Sequence, residues 1–474
     1  MKMTQRSKRD FVESIVRYFN EGAREKSVQR IITLLFLRYL SEPDFSAQRF
    51  DIPESATWDT LRRQLSHLGD CIDTAFEELR QKNVTLAFTE DLPTFRNVPD
   101  VLLSQAIVDL SRVSGSDLAA INYLLLEMAG GAQNRHESML LAPLFVSSLL
   151  VQLLNPQEAK HIHDPTCATG GTFLACNNFL LDQNIQNTKR LAISGQEEDK
   201  HLAALCQAQL FMNGIHEHDI RCGDVLSNPR FTKAITGENP HSELETFDIV
   251  VGIPPFGVRG SNYDFENDTY GRFSFGRPRQ SNMDAAFIQH WLAAMNAQGR
   301  GAIVIPQGIL FSYRDKAIRQ RILTADVVEA VIGLPGNLFY NTYIAVSILV
   351  FNKNKPQSRR NQVLFIDSNE NYQKQYGGNY LSAKNIKKIV DAYQAFDNIE
   401  AFARVVHIDD IVSKDFSLSI NNYVFERISL QTDVYAKLAE LKVAEHSVNS
   451  SQRAVDEAIR DLGFDTEPEE FLDS

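Results

Sequence analysis

DPTCATGGTFL, residues 164–174, joins a short strand-like run, KHIHD (160–164), to a helix-like one. The glycines at 170 and 171 let the backbone turn tightly and approach a ligand, and a helix starting there offers unpaired N–H groups to it. Strand, glycine-rich turn and helix in succession form the opening unit of a doubly wound sheet. The chain beyond repeats the unit. LAISGQE (191–197), DIRCGD (219–224), FDIVVGI (247–253) and GRGAIVIPQ (299–307) are short apolar runs separated by helix-like segments. ADVVEAVIGLP (325–335), IAVSILVFNK (344–353) and QVLFID (362–367) extend the series. This alternation predicts an α/β fold with a mostly parallel, doubly wound sheet.

Upstream the period is helical. SVQRIITLLFLRYLSE (27–42), DTLRRQLSHLGDCIDTAFEELRQK (59–82), VPDVLLSQAIVDLSRVS (98–114) and DLAAINYLLLEMA (117–129) space their apolar residues for one helix face each. Downstream, Val434, Leu441, Val448, Val455 and Leu462 recur every seven residues, with small Ala444, Ser451 and Ala458 between. Such a seam fits either an amphipathic helix lying on its own domain or a coiled-coil arm for a partner. A chain of 474 residues is too long for one core. The expected organisation is an N-terminal helical domain (1–130), an α/β domain (131–425) and a C-terminal helical arm (426–474).

Composition narrows the setting. Hydrophobic residues at 43% and charged residues at 23% are ordinary for a globular protein. No apolar run has the ~18 residues of a membrane span, and the start, MKMTQRSKRDFVES, has no signal-peptide core. Five scattered cysteines without CxxC spacing suit a reducing cytoplasm, the expected location. A net charge of −12 disfavours broad binding to nucleic acid but leaves room for a local basic groove.

Polar groups gather at the predicted strand ends. Asp164 opens the glycine turn, and the next strand ends in Gly195-Gln196-Glu197, where an acid can accept hydrogen bonds from ribose hydroxyls. The third ends in Gly223-Asp224, placed to accept from an exocyclic amine. The fourth runs into Ile253-Pro254-Pro255-Phe256, a stiff corner, because both prolines lack an N–H and fix φ. His161, His163, His216 and His218 form two H-x-H pairs, but no third and fourth ligand stands at a recognisable spacing, so no metal site is predicted.

Taken together these residues resemble the modification (methylase) subunits of type I restriction–modification systems, which are S-adenosylmethionine-dependent adenine-N6 DNA methyltransferases. The Asp164 run is similar to their cofactor loop, D-P-x-C-G-T-G-G. The resemblance continues through Arg272-Phe273, Gly276-Arg277-Pro278, Ser281 to His290, Gly301 to Pro306, Ala330 to Pro335 and Asn337-Leu338-Phe339. It covers roughly residues 10 to 425. It implies a Rossmann-like class I methyltransferase fold. It also implies a cofactor set of Asp164, Thr166, Ala168, Thr169, Gly170, Gly171, Glu197 and Asp224 for S-adenosyl-L-methionine. The implied partners are DNA, a specificity subunit, a restriction (nuclease) subunit and a second copy of the chain, with no membrane.

Three positions depart from the family. Its corner reads Asn-Pro-Pro-Phe, in which the first side chain and the following carbonyl accept from the amine of a flipped-out adenine while the ring stacks on the base. Ile253 offers no acceptor. Ala168 replaces the first glycine of the loop, where a methyl group either crowds the ligand or demands a backbone angle alanine dislikes. The family's Phe-Tyr-Thr-Pro appears as Leu140-Leu141-Ala142-Pro143. These departures imply impaired catalysis; the alternative is an inactive scaffold in a defence complex that senses DNA or cofactor. Arg259, Arg272, Arg277 and Arg279, interleaved with Tyr270, Phe273 and Phe275, are the expected DNA contacts.

Overall fold

The computed structural model describes residues 5–19, 24–42, 50–129, 143–183, 191–233, 243–260, 263–339, 344–375, 378–424 and 434–462. Each predicted apolar run from 160 onward holds one strand: β1 (His161–Asp164), β2 (Ala192–Glu197), β3 (His218–Cys222), β4 (Phe247–Gly252), β5 (Met295–Pro306), β6 (Val328–Gly333), β7 (Val346–Asn352) and β8 (Gln362–Asp367). A small hairpin, β9 (Gln373–Gln375) and β10 (Gly378–Tyr380), and a further strand, β11 (Ala403–His407), complete the set.

The strands other than the hairpin form one nine-stranded sheet in the order β11-β8-β6-β7-β5-β4-β1-β2-β3. β3, β2, β1, β4 and β5 run parallel, as do β6 and β8, while β7 and β11 run antiparallel to their neighbours. The doubly wound, mostly parallel sheet expected from sequence is therefore present. β1 sits between β2 and β4, so the winding reverses there, and the crevice at that reversal is where such sheets bind ligands.

Every residue of β6 and β7 is buried, as strands covered on both faces must be. Alternate residues of β5 feed separate cores, Ala302 and Val304 on one side and Ile303 and Ile305 on the other. The first core extends into the N-terminal helices, where Phe36 and Phe88 meet Phe211 of the helix Lys200–Met212 at 6.3 and 5.8 Å between ring centres. The run 59–82, expected as one helix, is two: Trp58–Arg63 and Leu68–Lys82. His67 between them is left-handed (φ 54°), and the Asp100 carboxylate caps the second helix by accepting from the N–H groups of His67 and Leu68 at 2.8 and 2.9 Å.

The chain divides into two compact units, Met1–Val424 and Phe425–Ser474. The second contains the helix Val434–Asp461, on which Leu438, Leu441, Val448 and Val455 are all exposed. Among the described residues no helix is long and apolar enough to cross a membrane.

Candidate cofactor and base site

The glycine turn is held against β2. Cys167 N–H donates to the Gln196 carbonyl (2.9 Å), and Gly170, at φ 85°, starts the helix Gly171–Asp182. A Cβ on Gly195 would lie 3.0 Å from Cys167 and Phe173, so any side chain there would crowd the turn against β2. Ala168 settles at φ 45°. Its backbone thus meets the second of the two sequence expectations, a left-handed angle that costs a side chain about 1–2 kcal/mol. The angle directs the Ala168 N–H to Glu197 Oε2 at 2.9 Å.

Three carboxylates end three adjacent strands. Asp164 is buried, accepts from Thr166 N–H at 3.0 Å, and is pushed up to about 7 by burial. It lies against the neighbouring strand end, since a Cβ on Gly252 would fall 2.3 Å from Asp164 Oδ1. Glu197 is braced on both oxygens, by Ala168 N–H and by Asp199 N–H at 3.0 Å, and burial raises its pKa also. Asp224 accepts from Leu226 N–H (2.9 Å), from the Ser227 hydroxyl (2.8 Å) and from the Tyr263 hydroxyl. Burial first, and then the hydrogen bond to Asp224, pushes the Tyr263 phenol up.

Gln196 sets the Asp224 loop. Its buried amide donates to the carbonyls of Gly223 and Asn228 (2.8 and 2.9 Å) and accepts from Arg230 N–H (2.9 Å). The sequence marked Gln196 only as part of a strand end; its partners are 27 to 34 residues away and leave no local trace.

At the end of β4, Ile253 is half-buried, Pro254 buried and Pro255 exposed. Phe256 is 9% exposed and meets Phe339 edge-on, the rings 5.3 Å apart at 82°. Phe339 is a second aromatic wall that sequence reading left without a role. Behind the corner, the buried Asp284 carboxylate accepts from Gly257 N–H at 3.0 Å, and the Val258 carbonyl accepts from Met283 N–H at 2.9 Å. The corner is thereby fixed to the helix Asp284–Ala294.

The four arginines expected to meet DNA divide. Arg272 is 5% exposed, paired with Asp268 at 2.6 Å and donating to the carbonyls of Val225 and Leu226. It braces the Asp224 loop through these internal partners. Arg279 is bound to the buried Asp315 at 2.9 Å, and Arg277 pairs with Glu266 at the surface. Arg259 is exposed. Thr166 and Thr169 lie in the turn, while Leu140-Leu141-Ala142 fall outside the described residues. Of the H-x-H pairs, His163 is held neutral by burial, at about 3, stacked on Phe247 at 4.1 Å with Nδ1 on the Ser194 hydroxyl.

Comparison with known proteins adds relatives to this geometry. The family described as N-6 DNA Methylase matches residues 118–430. The chain is 30% identical over 341 residues to the type I restriction enzyme MjaVII methylase subunit of Methanocaldococcus jannaschii, covering 69% of this chain and 56% of that protein. It is 31% identical over 299 residues to the MjaVIII methylase subunit of the same organism, covering 61% and 50% respectively. It thus spans about half the length of these curated relatives. Among solved structures, the type I restriction-modification system methyltransferase subunit from Streptococcus thermophilus superposes with a TM-score of 0.73 at 19% identity, over 89% of this chain and 100% of that one.

Proposed function

The chain belongs to the N-6 DNA methylase family, and from that premise we propose that it is the methylase subunit of a type I restriction–modification complex. In this reading the cofactor side of the site is preserved and transfer to adenine N6 is slowed at Ile253. The observation that carries the proposal is the meeting of two neighbouring strand ends. Asp164 packs on Gly252, and the next residue, where an acceptor is required, is isoleucine.

The residues present fit S-adenosyl-L-methionine. Carboxylates end β1, β2 and β3 in turn, and Gly195 lets the glycine turn close over them. Glu197 would take the ribose hydroxyls, Asp224 the exocyclic amine, and Asp164 with the N–H groups of the turn the amino-acid end. When bound, the cofactor supplies a methyl group on a cationic sulfur.

On the base side the Pro254 carbonyl remains as one acceptor for an adenine amine. Phe256 offers a stacking face once Phe339 yields, and Asp284 keeps the corner rigid. Ile253 leaves one amine hydrogen unpaired and the nitrogen lone pair unaimed, which costs about 1–3 kcal/mol for the lost partner alone. By analogy with removal of one preorganised polar group, transfer slows by about 10²–10³.

The specificity subunit, a nuclease subunit and a second copy of the chain are the proposed partners, with the exposed seam of the helix Val434–Asp461 as an arm for one of them. A second reading, a scaffold without transferase activity, draws support from the Tyr263 hydroxyl already seated on Asp224. The test is adenine-N6 methylation of DNA by the chain purified with its specificity subunit, alongside calorimetric titration of S-adenosylmethionine. Slow methylation supports the first reading. Cofactor binding without methylation moves the assignment to the scaffold, and absence of cofactor binding removes the methylase reading.

A further inference from the structure

The turn leaving β5 presents two aromatic rings to solvent. Phe311 is 57% exposed and Tyr313 82%, and among the described residues these are the two aromatic members of the exposed large apolar side chains. An aromatic side chain has ~150–250 Å² to bury, so two rings left in water within three residues mark a surface that awaits a partner.

The turn beneath them is clamped. Arg319, 7% exposed, donates to the carbonyls of Ile309 (3.0 Å), Ser312 (2.6 Å) and Phe416 (3.2 Å). The Leu310 carbonyl accepts from Leu418 N–H at 2.8 Å, and the buried Asp315 takes both nitrogens of the Arg279 fork. The backbone that carries the rings is therefore held in place.

Place and charge identify the partner. β5 is the parallel neighbour of β4, with Ile303 beside Gly252, so this turn leaves the same sheet edge as the Ile253–Phe256 corner. Arg279 ties it to the segment that carries Arg259 and Arg277. Arg314, directly after Tyr313 in sequence, and Arg321 are exposed. The acids of the stretch are already paired, Asp315 with Arg279 and Asp415 with Lys316. A chain of net charge −12 thus shows rings and solvent-exposed arginines together beside its proposed base corner, Arg321 also donating to the Phe275 carbonyl at 3.4 Å. That combination suits a nucleic-acid strand, whose bases stack on rings while its phosphates meet arginine.

We propose that Phe311 and Tyr313 are a stacking platform for unpaired nucleotides flanking the target base, with Arg314 and Arg321 on the adjoining phosphates. The proposal rests on the DNA reading given above and assigns it residues outside the family's base corner.

The test uses the full chain with its specificity subunit and a fluorescent single-stranded oligonucleotide, titrated at several salt concentrations. Phe311→Ala/Tyr313→Ala should weaken binding roughly ten- to hundredfold with the salt slope unchanged, as loss of stacking requires. Tyr313→Phe should bind like wild type. Arg314→Ala/Arg321→Ala should instead flatten the salt dependence by about one to two charges. Wild-type affinity in the double aromatic variant overturns the platform while leaving the DNA reading intact. Loss of the specificity subunit from that variant also overturns it, by making the turn a protein interface. Absence of oligonucleotide and duplex binding by wild type removes the DNA reading and the platform with it.

Discussion

At the ends of β1, β2 and β3 the three acids are each seated on hydrogen bonds, whereas the end of β4 carries a hydrocarbon, Ile253. The two regions share one architecture: a parallel strand, a turn fixed by backbone hydrogen bonds, and a helix behind it. They differ in the polarity of the side chains they present. On the side proposed for the cofactor, carboxylates and close-packed glycines are present, and Ala168 adopts a left-handed angle with its N–H on Glu197. On the base side the scaffold persists, down to Asp284 on Gly257 N–H, but the acceptor is absent. Backbone and packing at the β4 corner are held by residues other than Ile253, so the geometry there does not depend on the chemistry of that side chain.

The contrast fails if the proposed cofactor side takes no part in binding. Glu197→Ala is expected to weaken S-adenosylmethionine binding by about 10–100-fold, the worth of one or two charge-assisted hydrogen bonds, as read by calorimetry. No change would mean that Glu197 serves only the Ala168 turn. Tyr263→Phe should act in the opposite direction. It frees an Asp224 oxygen and is expected to tighten cofactor binding roughly three- to tenfold, while weaker binding would make the phenol part of the pocket.

Two smaller effects sharpen the account through stability. Ala168→Gly removes the cost of a left-handed side chain and should stabilise the ligand-free chain by about 1 kcal/mol in denaturant titrations. Asp164 adds a dependence on pH. Its folded pKa of about 7 lies above the unfolded ~3.9, so its contribution is full below the unfolded value and is lost as pH rises through about 7. Asp164→Asn has no such proton to lose. Its thermal stability relative to wild type should therefore improve between pH 5 and pH 8, by on the order of 1 kcal/mol.

The strands were legible because each is a short apolar run bounded by turn residues, and β8 matches its run, 362–367, at both ends. The carboxylates were legible because each ends such a run. What escaped depends on contacts between distant segments. The break at His67 comes from a cap supplied by Asp100, and a helical period cannot register it. Neither the antiparallel sense of β7 nor the hairpin β9–β10 and strand β11 is marked by composition. Arg272 looked like its neighbours in a basic segment until Asp268 and two carbonyls drew it inward. Tyr263 and Phe339 reach the site from 39 residues beyond Asp224 and across the sheet edge from Phe256, distances over which local pattern says nothing.

The most direct measurement is transfer of labelled methyl from S-adenosylmethionine to adenine in DNA, wild type beside Ile253→Asn, each assembled with the specificity subunit. Slow but measurable transfer is expected from wild type, with a gain on the order of 10²–10³ in Ile253→Asn. Equal, fast transfer by both would contradict that expectation and show that the side chain at residue 253 is dispensable to the chemistry.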